Sequence, residues 1–183
     1  NALNKEGAKL IVNEFTFGIL GTPSTVTAQH AGGGLPSFNW DSGVFDQAHD
    51  IGGQVLYDKY LTKRETCFAC SVRCKRVVEE ETRKVNPIYG GPEYETIATF
   101  GSYPGVGDMT AVLKANELSN AYGVDTISCC ATIAFAMDLF EHEIISSEDT
   151  GGLELRFGNG DAMLKMIEMI SSRQGFGNVL AEG

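Results

Sequence analysis

Three of the chain's five cysteines stand close together, at Cys67, Cys70 and Cys74. Their spacing is Cys-x-x-Cys-x-x-x-Cys. Cysteine thiolate is the usual ligand of iron–sulfur clusters and of structural zinc. Two intervening residues let one backbone turn offer two sulfurs to one centre, and the third thiol continues the wrap. A cubane cluster needs four ligands, so a fourth donor comes from elsewhere. Zinc sites pair one Cys-x-x-Cys with a second Cys or His pair. None stands here, since His30, His49 and His142 are isolated from one another. The order of spacings is also the reverse of that in radical-SAM enzymes. Spacing favours a cluster but leaves zinc open, and also three cysteines that bind nothing. Cys129 and Cys130 are candidates for a fourth ligand. Their place at the start of an apolar helix reads more simply as small hydrophobes in a core.

The surroundings of the cysteines discriminate further. The chain carries a net charge of −10, so nucleic acid and anionic membrane are poor partners for it. Yet Lys63, Arg64, Arg73, Lys75 and Arg76, five of its 14 basic residues, flank the three thiols. Such a flank offsets the negative charge of a thiolate-bound cubane and influences its reduction potential. It also argues against deep burial of the segment. An odd number of clustered cysteines does not suit a secreted disulfide framework, and the reading is a reducing cytoplasm. No signal peptide is visible, and the most apolar run, around 127–140, is interrupted by Asp138 and too short to span a bilayer. The chain opens on Asn1 without methionine and stops after "NVLAEG", which reads as a piece of a longer protein.

The elements that must position these residues read as mainly α. A short helix is expected over 5–18. Gly21, Pro23, Gly32, Gly33, Gly34 and Pro36 make 21–43 a long irregular loop. Residues 44–61 read as a helix with Val44, Ala48, Ile51 and Val55 on one face, weakened by Gly52 and Gly53. The charged stretch containing "EEETRK" reads as a solvated turn or hairpin, ended by Gly91 and Pro92. The clearest helix is 109–122, with Asp108 as N-cap, Gly123 just past its end, and Ala111, Ala115, Leu118 and Tyr122 on one face. A second runs from near Ser128 to Glu141, buried through Ile133, Phe135, Met137 and Phe140. A third spans 161–173, with Met163, Met166, Ile167 and Ile170 on one stripe and Gly175 after it. The fold class is multihelical, with a long Gly/Pro-rich loop and room for one short hairpin.

Three further stretches bear on function: "YGGPEYETIATFGS" (89–102), "NAYGVDTIS" (120–128) and "DTGGLELRFGNGDAMLKMIE" (149–168). Together with "CFACSVRC" and the Gly-rich "GTPSTVTAQHAGGGLPSFNW" (21–40), they resemble the aldehyde ferredoxin oxidoreductase family. These are tungsten, sometimes molybdenum, enzymes with a bis-pterin cofactor and one 4Fe-4S cluster. The resemblance covers nearly the whole chain. It implies that residues 1–183 are the family's second, helical domain with the start of the third. An N-terminal β-rich pterin domain and a C-terminal remainder would then lie outside this chain.

The resemblance assigns three cluster ligands to Cys67, Cys70 and Cys74. The family's fourth comes from a later Asp-x-x-Gly-Leu-Cys motif, which does not occur before Gly183. The family's pterin-contacting Asp-x-x-Gly-Leu-Asp reads here Asn120-Ala121-Tyr122-Gly123-Val124-Asp125. The change of its first Asp to Asn keeps an acceptor for pterin N–H groups but loses the charge. Gly123 would permit the turn that leaves the helix. Asp125 would accept from N–H donors, with capping of the next helix as its plain structural role. Of Glu93 and Glu95, counting back from the pterin motif favours Glu95 as the acid/base group near the metal. A carboxyl buried beside an apolar pocket would have a raised pKa suited to that work, and a surface carboxylate is the plain reading. His142, in a charged "EHE", reads as solvated.

The implied activity is oxidation of a small aldehyde to a carboxylic acid, with electrons leaving through the cluster to ferredoxin. The basic flank would help dock an acidic ferredoxin. The alternative within the family is a tungsten subunit of an aromatic acyl-CoA reductase complex. The full-length protein is expected to be a homo-oligomer or a subunit of a larger complex. These 183 residues alone are expected to be inactive and without cofactors.

Overall fold

A carboxylate at one end and a glycine at the other define the most regular element of the chain. The side chain of Asp108 accepts a hydrogen bond from the Thr110 amide at 2.9 Å, and Gly123 closes the helix in the left-handed conformation, with φ 71° and ψ 33°. Between them runs Met109–Tyr122, the span expected from the sequence. The computed structural model describes residue 6 and residues 16–70 and 72–183. In chain order its helices are α1 (Thr16–Ile19), α2 (Thr25–Ala31), α3 (Gly53–Lys59), α4 (Tyr94–Phe100), α5 (Met109–Tyr122), α6 (Thr126–Glu141), α7 (Gly160–Ser172) and α8 (Phe176–Leu180). The strands are β1 (Leu61–Glu65) and β2 (Lys75–Val78), which pair antiparallel as the one sheet among the described residues. The chain is mainly α, as read from the sequence.

Helices α5 and α6 are joined by only Gly123, Val124 and Asp125. The Asp125 carboxylate caps α6 by accepting from the Ser128 amide at 2.7 Å. Helix α7 begins at Asn159, whose side chain accepts from the Ala162 amide. It turns Met163, Met166, Ile167 and Ile170 into the core, as their spacing predicts. Helix α5 packs on α7, and α4 packs on α6. Each fully buried aliphatic or methionine side chain along these seams contributes about 1.5–3 kcal/mol.

The structure departs from the sequence reading in several places. Within 21–43, a 3₁₀ turn at Thr22–Ser24 leads into α2, so the stretch is not loop throughout. Pro23 starts the turn, and glycines confine the helix on both sides. Residues 44–52 form turns, and only Gly53–Lys59 is helical. Gly52 is extended, and Gly53 packs so closely that a Cβ would stand 2.7 Å from the Ser24 nitrogen. The expected face is therefore split: Ala48 and Ile51 are buried while Val44 is exposed. Phe135 is also exposed, at 52%, although its neighbours Ile133, Met137 and Phe140 are buried. The helix expected over 5–18 lies mostly outside the described residues, and α1 overlaps its end.

The hairpin is not in the "EEETRK" stretch. That segment is a tight turn closed by a bridge between Glu80 and Val85. Glu80 is nearly buried, and its carboxylate accepts from the amides of Thr82 and Arg83, each at 2.8 Å. Burial pushes its pKa up, but these hydrogen bonds outweigh burial and hold it below the ordinary value. Arg83 then reaches Asp108 at 3.1 Å and Asp161 at 2.7 Å, fastening the turn to the first turns of α5 and α7.

Asp108 therefore has two stabilising partners, the helix end and Arg83. Partial burial raises its pKa, but hydrogen bonds from Thr110 and Arg83 lower it by more, so the net shift is down. A depressed carboxyl contributes stability above its unfolded pKa and loses it as pH falls through the folded value. We expect Asp108→Ala to cost about 1–2 kcal/mol at pH 7. The difference from wild type should shrink steadily below about pH 4, as read by urea denaturation across pH.

Candidate cofactor site

The hairpin exists to carry the cysteines. β1 and β2 pair as Lys63↔Val77, Arg64↔Arg76 and Glu65↔Lys75, with an irregularity between Leu61 and Lys63. The connection between them is the cysteine segment. Cys67 and Cys70 share one turn, in which the Cys70 amide donates to the Cys67 carbonyl at 3.1 Å. The Thr66 hydroxyl spans the same turn, donating to the Cys70 carbonyl at 2.6 Å. Cys74 lies at the entry to β2. Cys67 is exposed, Cys70 and Cys74 are half-buried, and none of the three is in a disulfide. Burial and then the charge of Glu93 push the Cys74 thiol up. Cys129 and Cys130 are buried in α6, as small hydrophobes would be. Among the described residues no three His, Cys, Asp or Glu side chains form a metal-ligating group.

A two-stranded hairpin is marginal by itself, and this one is held by a buried cation. Arg76 is 2% exposed, against the expectation that the basic flank stays at the surface. One end of its guanidinium donates to the carbonyls of Arg73 and Lys75 at 3.1 and 3.0 Å, on either side of Cys74. The other end donates to the carbonyls of Phe17 and Gly18 at 3.1 and 3.2 Å, in α1. These four bonds tie the cysteine loop to α1. Gly21 makes room for the joint. A Cβ there would stand 2.9 Å from the Cys74 carbonyl oxygen and 3.0 Å from Arg76 Nε.

Beside the hairpin lies a cavity of about 890 Å³. Its wall includes Lys63 and Lys75 from the strands, Gly90, Gly91 and Glu93 from the segment before α4, and Asn120 and Asp125 from the two ends of the α5–α6 joint. The fold thus brings Glu93, Asn120 and Asp125 around one space, together with Arg76. Glu95 and Gly123 do not line it. Glu95 is exposed in the first turn of α4 rather than buried against an apolar pocket. Glu93 is half-buried and accepts from the Thr22 hydroxyl, which itself accepts from the Tyr94 amide at 3.0 Å. Asn120 is exposed, with its amide nitrogen engaged by the Asn116 carbonyl at 2.8 Å. Asp125 displays its capping role, and hydrogen bonds from Ser128 hold its carboxyl below the ordinary range. His142 is exposed at the end of α6, next to Asp138. Sequence reasoning missed Arg76 as a joint, and it missed Lys63, Lys75 and Asn116 in the cavity wall. Lys63, Lys75 and Arg76 stand out in the sequence as a basic flank of the cysteines, but their place in the wall does not, because the wall is assembled from segments far apart in the chain.

The family model described as "Aldehyde ferredoxin oxidoreductase, domains 2 & 3" matches residues 3–183. The chain belongs to the aldehyde ferredoxin oxidoreductase family. The tungsten-containing aldehyde ferredoxin oxidoreductase of Pyrococcus abyssi is 38% identical over 169 residues, covering 89% of this chain and 27% of the relative. That of Thermococcus kodakarensis is 35% identical over 164 residues, with the same coverage. The chain therefore spans about a quarter of the length of these relatives. Among solved structures, the active-site complex BamBC of benzoyl coenzyme A reductase with 1,5-dienoyl-CoA aligns with a TM-score of 0.66. It covers the whole of this chain and 28% of that one at 19% identity, a likeness of fold. The family is one of oxidoreductases, and these relatives are tungsten-containing by name. Among the described residues no helix is long and apolar enough to cross a membrane.

Gly21 gives a direct test of the joint. Its φ of 73° and ψ of −170° fall in a region open almost only to glycine. Gly21→Ala should cost at least about 1–3 kcal/mol from backbone strain alone, and it should also displace Arg76 from the Cys74 carbonyl. We expect a lower denaturation midpoint together with faster alkylation of Cys74, followed by mass spectrometry.

Proposed function

We propose that this chain is the part of an aldehyde oxidoreductase that holds three ligands of a 4Fe-4S cluster and one wall of a bis-pterin site. The single observation that carries the proposal is the shared wall: Arg76 borders the cavity beside Glu93, and its guanidinium donates to the carbonyls on both sides of Cys74. A redox centre in the cavity and an electron exit at the cysteines would thus sit side by side. When bound, the tungsten or molybdenum bis-pterin supplies the two-electron oxidation of a small aldehyde, and the cluster supplies the one-electron route to ferredoxin.

The residues fit these groups by their chemistry. Three thiols on one loop offer the soft donors an iron–sulfur cluster takes. Three buried guanidinium nitrogens, Arg64 Nε, Arg64 Nη2 and Arg76 Nε, stand next to that loop without acceptors among the described residues, as a protein prepared for an anion would have them. In the cavity, Asn120 retains its side-chain oxygen as an acceptor for pterin N–H groups. Gly123 turns the chain so that Val124 and Asp125 reach the wall, and Asp125 places a carboxylate there.

The two glutamates divide the remaining work. Glu93 is tied to Thr22 and supports the wall. The Glu95 side chain accepts no hydrogen bond and forms no ion pair among the described residues, and it stands next to Thr96 of the cavity wall. Glu95 itself lies outside the cavity wall of this chain, and we assign proton exchange with the substrate to it on the resemblance of "GGPEYET" to the family's motif. The whole enzyme, an oligomer or a subunit of a larger complex, would meet ferredoxin on the side of the exposed Cys67 and its neighbouring Lys and Arg residues.

Anaerobically purified whole protein should contain tungsten or molybdenum and iron, and should reduce a viologen dye when given an aldehyde. Glu95→Gln should lower kcat by about 100-fold or more with metal and iron retained. Activity on an aromatic CoA ester alone, or a protein free of both metals, would overturn the proposal. A Glu95→Gln enzyme within about threefold of wild type would remove Glu95 from the role assigned to it.

A further inference from the structure

Arg64 and Arg76 stand opposite each other in the ladder of the hairpin. Like charges directly opposite destabilise a sheet. Neither arginine forms a salt bridge among the described residues. Three of their nitrogens, Arg64 Nε, Arg64 Nη2 and Arg76 Nε, are buried and have no hydrogen-bond partner among the described residues. A buried charged donor without an acceptor is costly, and native folds rarely leave one so. Here three of them cluster in one cross-strand pair.

The location of the pair is informative. Arg64 precedes Cys67 by three residues, and Arg76 follows Cys74 by two. Arg76 Nε approaches the Cys74 carbonyl closely enough that both would contact one Cβ at Gly21. The neighbouring lysines are different. Lys63 is exposed and already paired with Glu65 at 2.5 Å, and Lys75 is exposed. Water screens both, so their influence on a nearby charge is weak.

Resting on the reading of Cys67, Cys70 and Cys74 as cluster ligands, we propose that Arg64 and Arg76 are the built-in counter-charge of the cysteine-held cluster and set its reduction potential. A buried Arg76 and a half-buried Arg64 beside a thiolate-bound cubane relieve their own repulsion by its presence. They also favour its reduced state, which carries one more negative charge than the oxidised one. Arg64 is the positioning residue to test, because Arg76 also holds the loop to α1.

The experiment is a redox titration of the anaerobic holoenzyme, following the reduced-cluster electron paramagnetic resonance signal. Arg64→Gln should make reduction about tenfold less favourable, a fall of about 59 mV for a one-electron couple. Arg64→Lys, which keeps the charge, should stay within about threefold of wild type, and Lys63→Gln should move it less than about twofold. If Arg64→Gln assembles no cluster, Arg64→Lys with the wild-type midpoint supports the same conclusion. A cluster present in wild type with an unchanged midpoint in Arg64→Gln overturns this inference alone. An equal shift in Arg64→Lys and Arg64→Gln overturns it too, since packing rather than charge would then be responsible. A wild-type holoenzyme without cluster iron overturns the cluster reading itself.

Discussion

The buried guanidinium of Arg76 is the constraint on which the cysteine loop depends. Its four carbonyl acceptors come from α1 and from both sides of Cys74. Hydrogen bonds to a charged donor are worth roughly 1.5–3 kcal/mol each, and a buried charge that loses them is severely destabilising. Strands as short as Leu61–Glu65 and Lys75–Val78 would not hold a nine-residue connection, 66–74, in one place by ladder bonds alone. A fixed cation beneath the loop and Val78 in the core do so instead. The glycine at 21 is the steric condition for that arrangement.

Around this joint the electrostatics are uneven for a reason. The chain is strongly acidic overall, yet its buried charge at the hairpin is positive and forms no ion pair among the described residues. The surface charges are handled in the ordinary way, by pairs such as Lys114–Glu117 and Lys165–Glu168 along helices. The contrast sets charges paired with one another apart from a hairpin pair of like charge.

Much of the helical frame was legible because local chemistry decides it. Asp108 and Gly123 bound α5, and the stripe of Met163, Met166, Ile167 and Ile170 fixes the inward face of α7. The misreadings have equally local causes. Gly52 and Gly53 end the turns of 44–52 and begin α3 because Gly53 must pack against Ser24, a contact invisible in one dimension. The strand "LTKRE" has no apolar alternation to mark it. Phe135 looks like core by type and is exposed on α6. The cysteines, Glu93, Asn120 and Asp125 were singled out through motifs, but that Glu93, Asn120 and Asp125 border one space required the fold. So did the buried state of Arg76, since an arginine is expected at the surface.

The hydroxyl of Thr22 joins two places that are otherwise separate. It donates to Glu93 in the cavity wall and accepts from the first amide of α4, while its neighbour Gly21 abuts Arg76 and Cys74. Wall and cysteine loop are thereby parts of one frame. Electron tunnelling falls off steeply with separation, so under the proposed function a route from the cavity to Cys74 would have a length set by this frame. Cys74, at the entry to β2, is the thiol this frame holds, whereas Cys67 and Cys70 share the exposed turn that carries Phe68.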